Sequence, residues 1–240
     1  MIHYACCIFC PALLDGYCHR YWQLNVPINY SLHSLHKDDT APEIFRHNFN
    51  ELCADYSHFT RLYTDGSKMG DGVASAVVSQ KSCKTVRLPS NASIFRAELY
   101  AIVRLPSNAS IFRAELYAIS LALNIIRRCR DKDFIIFSDS MSSLLALSGF
   151  KLEIDVVQKI LKDYSILTNS GKSIVLCWIP SHVNIPGNER ADAAAKSALS
   201  LPITNMKLPG CDLIPCVSNY SLRDWLSGEM LTRIVWLEAG

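Results

Sequence analysis

The chain has 240 residues, 50% of them hydrophobic, and a formal net charge of +2. This composition excludes a disordered chain, and the length suits one domain of about 150 residues with flanking segments. The small net charge excludes a global basic field that would by itself indicate nucleic-acid binding.

The 10 cysteines lack the paired spacing of zinc knuckles, so we interpret them as free thiols of a reducing compartment. Residues 1–14 are apolar but lack the basic start and the cleavage site of a signal peptide. No other run is long and apolar enough to span a bilayer. We therefore expect an intracellular protein, cytoplasmic or nuclear, that is neither secreted nor bound to a membrane.

The segment before Phe59 has weak signals. Residues 27–42 are rich in Pro, Asn, Ser and Asp, which is typical of a linker. Glu43–Cys53 has an apolar stripe at helical spacing and is predicted to be a short helix. We interpret residues 1–58 as an N-terminal flank and, from position alone, as a remnant of a polymerase connecting region.

From Phe59 onward the predicted elements are clear. The predicted strands are Phe59–Thr64, Val73–Ser79, Cys83–Leu88, Phe134–Phe137 and Ile174–Trp178. The predicted helices are Ser110–Arg128, Met141–Leu147, Ile154–Thr168 and Glu189–Leu199, the last with Asn188 as its N-cap. This order predicts an α/β domain over residues 59–200, with a mixed sheet covered by helices. The tail, residues 201–240, contains a further predicted helix at Leu222–Leu237.

A segment of identical sequence, VRLPSNASIFRAELYAI, occurs twice in tandem, as Val86–Ile102 and Val103–Ile119. The duplication creates two candidates, Glu98 and Glu115, for one acidic position. Glu115 lies in the middle of an apolar stripe on a helix that continues for several turns. The helix that contains Glu98 must stop before Pro106, because proline disfavours helical geometry in the residue before it.

For the third predicted strand, the local signals favour the first copy of the repeat rather than the second. A polar hairpin at residues 80–82 sets the start of this strand, which therefore most naturally uses Val86–Leu88 of the first copy. We predict that the strand comes from the first copy and the helix from the second, with the chain around Pro89–Pro106 bulging out as a loop.

Four acidic residues stand where an isolated carboxylate is costly. Asp65 and Asp139 follow apolar strands, Glu115 lies on an apolar helix face, and Asp192 is predicted to open a helix. Each one alone is more often a turn, a cap or a surface residue, and Glu115 is the least easily explained in this way. If the two strands are parallel neighbours, Asp65 and Asp139 meet at one sheet edge, which the other two reach from packed helices. Such a group favours bound divalent cations, Mg²⁺ or Mn²⁺ rather than zinc, because its ligands are oxygens.

Two further features accompany these acids. His182 lies in a loop rich in Pro and Gly, where a mobile imidazole suits a proton shuttle or an aid to product release. The basic stretch Arg127–Lys132 is consistent with a phosphate contact and equally with a solvated helix end.

Taken together, the motifs resemble a known family. The pieces are Tyr63-Thr64-Asp65-Gly66-Ser67, Ala114-Glu115-Leu116, Ser138-Asp139-Ser140 and the block from Trp178 to Asp192. They resemble ribonuclease H type 1, and more narrowly the ribonuclease H domains of non-LTR retroelement reverse transcriptases, over Phe59–Ser200. The resemblance implies a five-stranded mixed sheet whose first three strands are antiparallel. It also implies two Mg²⁺ ions and endonucleolytic hydrolysis of the RNA strand of RNA–DNA hybrids.

The same resemblance implies residue roles and a partner. It makes Asp65, Glu115, Asp139 and Asp192 metal ligands, with Glu98 as the rival of Glu115. It gives His182 the mobile-loop role in catalysis and Glu189 a supporting role. A reverse transcriptase on the same parent polyprotein is the expected protein partner.

Two other functions remain open at this point. One is an inactive retroelement-derived fragment that keeps the fold and at most binds nucleic acid, since the duplication places the position of Glu115 in question. The other is a related two-metal DNA nuclease or integrase-like enzyme, which the block containing His182 disfavours.

Overall fold

The computed structural model describes residues 26–35, 37, 39–70, 72–88, 108–149 and 155–204. Within them the chain forms six strands: β1 (Ile28–Asn29), β2 (Thr60–Met69), β3 (Gly72–Ser79), β4 (Cys83–Leu88), β5 (Asp133–Ser138) and β6 (Ser173–Trp178). It also forms five α-helices: α1 (Pro42–Asp55), α2 (Asn108–Arg128), α3 (Met141–Ser148), α4 (Asp155–Asn169) and α5 (Pro186–Ala198). None of these helices is long and apolar enough to cross a membrane.

The strands form one mixed sheet in the order β1-β6-β5-β2-β3-β4. β2, β3 and β4 are joined antiparallel, whereas β2, β5 and β6 run parallel. The predicted α/β class and the antiparallel arrangement of the first three predicted strands are therefore confirmed.

The predicted count of five strands is too small by one, because β1 adds to the sheet edge. Ile28 and Asn29 pair in parallel with Leu176 and Cys177 of β6, and a 3₁₀ turn, Ser31–Ser34, follows. The interpretation of residues 27–42 as a linker is therefore wrong at its start. Two residues on a sheet edge are too few to show the alternation by which a strand is recognised in sequence.

The first long strand extends further than predicted. Asp65-Gly66 reads as a turn, but β2 continues through it to Met69, and these two residues pair with Ala76 and Ser75 of β3. A continuous ladder to the neighbouring strand outweighs the local turn preference of an Asp-Gly pair.

Both faces of the sheet are covered by helices, and β5 shows why. Phe134 and Ile136 face the core formed with α2, α3 and α4, whereas Ile135 and Phe137 face the core formed with α1. All four side chains are fully buried, which explains the continuous apolar run expected of a central strand. Each such side chain contributes about 1.5–3 kcal/mol through burial.

Helix α1 packs on the sheet as part of the same structure. Phe45 and Phe49 are buried, and the rings of Phe49 and Phe137 lie 5.1 Å apart, edge to face. The packed structure therefore begins before Phe59, although the polymerase origin of residues 1–58 stays a prediction. The tail helix predicted at Leu222–Leu237 lies outside the described residues.

The tandem repeat is threaded as predicted. β4 ends at Leu88 in the first copy, and α2 begins at Asn108 in the second. Glu98 lies outside the described residues, whereas Glu115 lies on α2 and is 8% exposed.

Candidate active site

The strand register brings Asp65 and Asp139 together. β2 and β5 are parallel neighbours in which Thr64 is paired with Ser138, so the next residues along the two strands are these two aspartates. The indole N–H of Trp178 donates to the backbone oxygen of Asp139 at 3.2 Å, which ties this position to β6 as well. The meeting of Asp65 and Asp139 follows the expectation for parallel strands.

Glu115 reaches the same place because α2 lies unusually close to β2. A Cβ added to Gly66 would lie 2.8 Å from both the Cβ of Ala114 and the backbone nitrogen of Glu115, closer than any side chain permits. The hydroxyl of Ser75 donates to the backbone oxygen of Ala114 at 2.7 Å and holds the helix there. Gly66 is therefore required for the approach of the helix, and its backbone N–H donates to the carboxylate of Glu115.

Asp65, Glu115 and Asp139 form what we call the inner group. Their ligand oxygens lie within 4.8 Å of one another. Among the described residues, Oδ2 of Asp65 and Oε2 of Glu115 are buried without a hydrogen-bond partner. Buried unpartnered carboxylate oxygens are costly, so this geometry favours a cation between them.

The electrostatics of the inner group agree with its geometry. Burial, followed by the charges of Asp139 and Asp192, raises the pKa of Asp65 from 3.8 to about 8. Burial, followed by the charges of Asp65 and Asp139, also raises the pKa of Glu115. The pKa of Asp139 is raised chiefly by burial. Without a cation, Asp65 therefore keeps a proton at neutral pH, and a bound divalent ion would replace it.

Asn188 supports the inner group, a role that no local sequence signal indicates. Its side chain is 1% exposed, and Nδ2 donates to Oδ2 of Asp139 at 3.1 Å, which lowers the pKa of that carboxyl. The predicted N-cap role is wrong, since α5 begins earlier, at Pro186 after Ile185. Proline favours the first helical position, so Pro186 was the available signal.

His182, Glu189 and Asp192 form what we call the outer group. Their ligand atoms also lie within 4.8 Å of one another, but His182 is exposed and the two acids are only half-buried. The prediction that Asp192 opens this helix is wrong. The residue lies in the second turn of α5, because the helix starts before Glu189. Its Oδ2 accepts from Nζ of Lys196 at 2.7 Å, so this acid has a counter-charge within the protein.

A glycine also brings the outer group onto the sheet. A Cβ on Gly187 would lie 2.3–2.4 Å from the ring of Tyr63, which stacks on Phe137 at 5.0 Å between centroids. The first turn of α5 therefore rests directly on an aromatic ring. His182 lies in the preceding loop at a φ of 56°, a left-handed conformation that is uncommon outside glycine.

The inner group and two members of the outer group, His182 and Asp192, line one open cleft of about 730 Å³. Asp65, Glu115, Asp139 and Asp192 contribute its acidic wall, and His182 lies close enough to lower the pKa of Asp139. The other lining side chains are uncharged: Ile111, Phe112, Ser140, Ser142 and Ser181.

The basic stretch Arg127–Lys132 does not join this cleft. It follows the C-terminal end of α2 and precedes β5, at the opposite end of that strand from Asp139. Part of its charge is paired internally, since Nη2 of Arg127 lies 2.7 Å from Asp163. The stretch therefore behaves as a solvated helix end.

The fold and the acidic cleft are those of a nuclease-like α/β domain, and a family comparison agrees. The RNase H family model matches residues 58–200, and the chain belongs to this family. Members act on RNA–DNA hybrids and use divalent metals. A comparison with curated proteins found no match.

Proposed function

We propose that the chain is an endoribonuclease that hydrolyses the RNA strand of RNA–DNA hybrids with two divalent ions, Mg²⁺ or alternatively Mn²⁺. The observation that carries the proposal is the inner group, in which two buried carboxylate oxygens have no partner among the described residues. A protein gains nothing in stability from such an arrangement, whereas a cation bound there satisfies both oxygens.

The residues that would hold the metal are the inner group together with Asp192. Their donor set consists only of carboxylate oxygens, which suits Mg²⁺ or Mn²⁺. When bound, two such ions supply an activated water and stabilise the leaving oxygen of a phosphodiester. Glu98 remains the rival of Glu115, but the inner group is complete with the acid of the second copy.

The protein's own side chains position these ligands and handle protons. Asn188 orients the Asp139 carboxylate through its Nδ2, and Lys196 orients that of Asp192. His182 is exposed on the cleft rim, where its imidazole can take a proton from, or give one to, a group that enters the cleft. Glu189 supports it from the adjacent first turn of α5.

The substrate class is tested with a labelled RNA–DNA hybrid and Mg²⁺. The unmodified chain is expected to cut the RNA strand internally, and EDTA or Asp139→Asn is expected to abolish cleavage. Asp133→Asn, at the opposite end of the same strand, is the matched control and should retain activity. Full cleavage by Asp139→Asn, or preferential cleavage of duplex DNA, would exclude this mechanism or this substrate.

The alternative, an inactive fragment that only binds hybrids, makes a different prediction. It requires binding without turnover, and recovery of turnover after one copy of the repeat is deleted. The complete inner group supports the active enzyme, because the duplication does not displace Glu115 from the cleft.

We also propose a retroelement origin, with a reverse transcriptase as the protein partner. The support is the resemblance of the block from Trp178 to Asp192, together with the flank, of which residues 1–57 precede the family-matched region. Co-purification of the chain with a reverse transcriptase encoded by the same transcript would test this origin, and a transcript without a polymerase would contradict it.

A further inference from the structure

The N-terminal arm, defined as residues 28–55, is built into the fold although it lies outside the family-matched region. Its first strand pairs with β6, and the backbone N–H of Leu176 donates to the oxygen of Pro27 at 3.1 Å. Its helix, α1, buries Phe45 and Phe49 against the sheet. The arm therefore has a definite position relative to the cleft.

The arm contacts the His182 loop, defined as residues 179–185. Leu32 of the arm shares one apolar cluster with Val183 and Ile185 of the loop. The ring of His33 packs edge to face on Trp178, which immediately precedes the loop, with 5.4 Å between centroids. These contacts place the segment that follows the 3₁₀ turn beside the rim of the cleft.

Lys37 extends from this segment to the rim. Its Nζ donates to the hydroxyl of Ser181 at 3.3 Å, and both Ser181 and His182 line the cleft. Among the described residues, the amine of Lys37 meets a neutral hydroxyl and no carboxylate, in contrast to Lys196, which is paired with Asp192. The charge of Lys37 is therefore available to an anion at the rim.

Apart from the neighbouring Lys196, which is already paired with Asp192, the described lining of the cleft offers little positive charge. None of the described residues that line it is a lysine or an arginine, and four of them are carboxylates. A nucleic-acid strand carries one negative charge per nucleotide, so its backbone needs a cation outside the metal-binding wall. Lys37 stands beside that wall, on the side of the His182 loop.

We propose that Lys37 is a phosphate-binding residue of the substrate site, through which the arm holds the nucleic-acid backbone beside the His182 loop. This inference rests on the proposed function, since it requires that a hybrid occupy the cleft. A lysine serves here as a flexible point charge, which suits contact with a phosphate at no fixed angle.

The test is hybrid binding by the full chain in an Asp139→Asn background, which prevents cleavage. Fluorescence anisotropy with a labelled RNA–DNA hybrid gives Kd at a series of salt concentrations from about 50 to about 200 mM. Lys37→Gln should weaken binding by about threefold to tenfold at the lowest salt. It should also reduce the slope of log K against log salt by about 0.9, the value for one lost phosphate contact. Lys37→Arg should preserve both quantities.

Lys81→Gln is the matched control, because Lys81 is an exposed lysine in the β3–β4 hairpin, outside the cleft. An unchanged Kd and slope for Lys37→Gln, an equal change for Lys81→Gln, or weaker binding at an unchanged slope would each overturn the assignment. If the folded Asp139→Asn parent binds no hybrid, the proposed function fails together with this inference. If the parent binds and Lys37→Gln has no effect, only the inference about Lys37 fails.

Discussion

The inner and outer groups are each composed of three potential metal ligands, yet they are built differently. The inner group stands on two paired strands and a helix held against them, and its two most buried acids are 5% and 8% exposed. The outer group stands on a loop and a helix, and its histidine is exposed. One group is fixed by the sheet, whereas the other includes a histidine on an exposed part of a loop.

The two groups also differ in how their charge is balanced. Within the described residues, the inner group contains unpartnered carboxylate oxygens, whereas Asp192 of the outer group has Lys196 as its counter-ion. The inner group is therefore compatible with a bound divalent cation, whereas Asp192 of the outer group already has a counter-charge in Lys196. We expect metal binding to begin at the inner group and the outer group to assist turnover.

The largest effect is expected from removing the charge of Glu115, the acid of the inner group that lies on helix α2. Glu115→Gln should reduce hybrid cleavage by about 10³-fold, the size expected when charge stabilisation at the reacting centre is removed. Glu98→Gln is a closely matched control, because its neighbours in sequence are identical, and it should leave cleavage unchanged. Single-turnover rates measure both variants. Inactivation by Glu98→Gln alone would contradict the assignment of the acid to the second copy.

Gly66→Ala breaks the inner group without removing a ligand. The new Cβ would meet backbone at 2.8 Å and push α2 away from β2. We expect cleavage to fall by about 10²-fold, the cost of misplacing a catalytic group by about 1 Å. The free energy of unfolding should fall by about 1–3 kcal/mol through overpacking. Denaturant unfolding and cleavage assays measure the two effects, and normal values of both would show that the approach of the helix is not required.

His182→Ala tests whether the outer group acts in turnover. The side chain is exposed, so we expect the stability to be unchanged and kcat to fall by about 10²-fold, as for the loss of a general acid or base. The concentration of Mg²⁺ that gives half-maximal stabilisation should be unaffected. A large change in Mg²⁺ affinity would instead place His182 among the metal ligands.

Gly187→Ala weakens the support of the outer group. The Cβ would collide with the ring of Tyr63, a side chain that is able to yield more easily than backbone. We therefore expect a smaller loss of cleavage than for Gly66→Ala, about tenfold, together with a modest loss of stability. Comparison of the two glycine variants in the same cleavage assay checks this order, and a larger effect for Gly187→Ala would reverse our ranking of the two groups.

The smallest expected effect is the pH dependence of stability without metal. Between pH 3.8 and about 8, the folded chain keeps a proton on Asp65 that the unfolded chain has lost. This contribution to stability is fully present below pH 3.8 and is lost as the pH rises through about 8. Thermal unfolding in EDTA should therefore show a decline from pH 5 to 8 that is weaker in Asp65→Asn.

Addition of Mg²⁺ provides the control for this pH dependence. At pH 8 the ion should raise the melting temperature of the unmodified chain and have less effect on Asp65→Asn, because binding only to the folded state stabilises it. Identical pH profiles for the two proteins would show that Asp65 does not carry the buried proton.

Much of the fold could be predicted because its signals are local and strong. β5 has a continuous apolar run, the β3–β4 hairpin has a polar turn, and α2 has a long apolar stripe. The predicted strand boundaries and strand count are wrong where a tertiary contact outweighs a local preference. β2 continues through an Asp-Gly pair because β3 pairs with it, and β1 exists only because β6 offers an edge.

The acids of the candidate site could be predicted from the sequence, but the residues that position them could not. The acids were recognisable since carboxylates beside apolar strands and helix faces are costly without a ligand. The prediction of Asn188 as a cap is wrong, because the residue lies inside the first turn of α5 and orients Asp139 from there. Lys37 had no signal at all, since its relation to Ser181 joins positions far apart in the chain.

The sequence by itself determined the order of the elements and the identity of the acids, because periodicity and local cost are properties of neighbouring residues. Only the tertiary structure decided which oxygens lack partners and how closely Gly66 and Gly187 let their contacts approach. It also showed that an N-terminal arm reaches the cleft. These features depend on strand register and helix packing, which arise from contacts between segments distant in sequence.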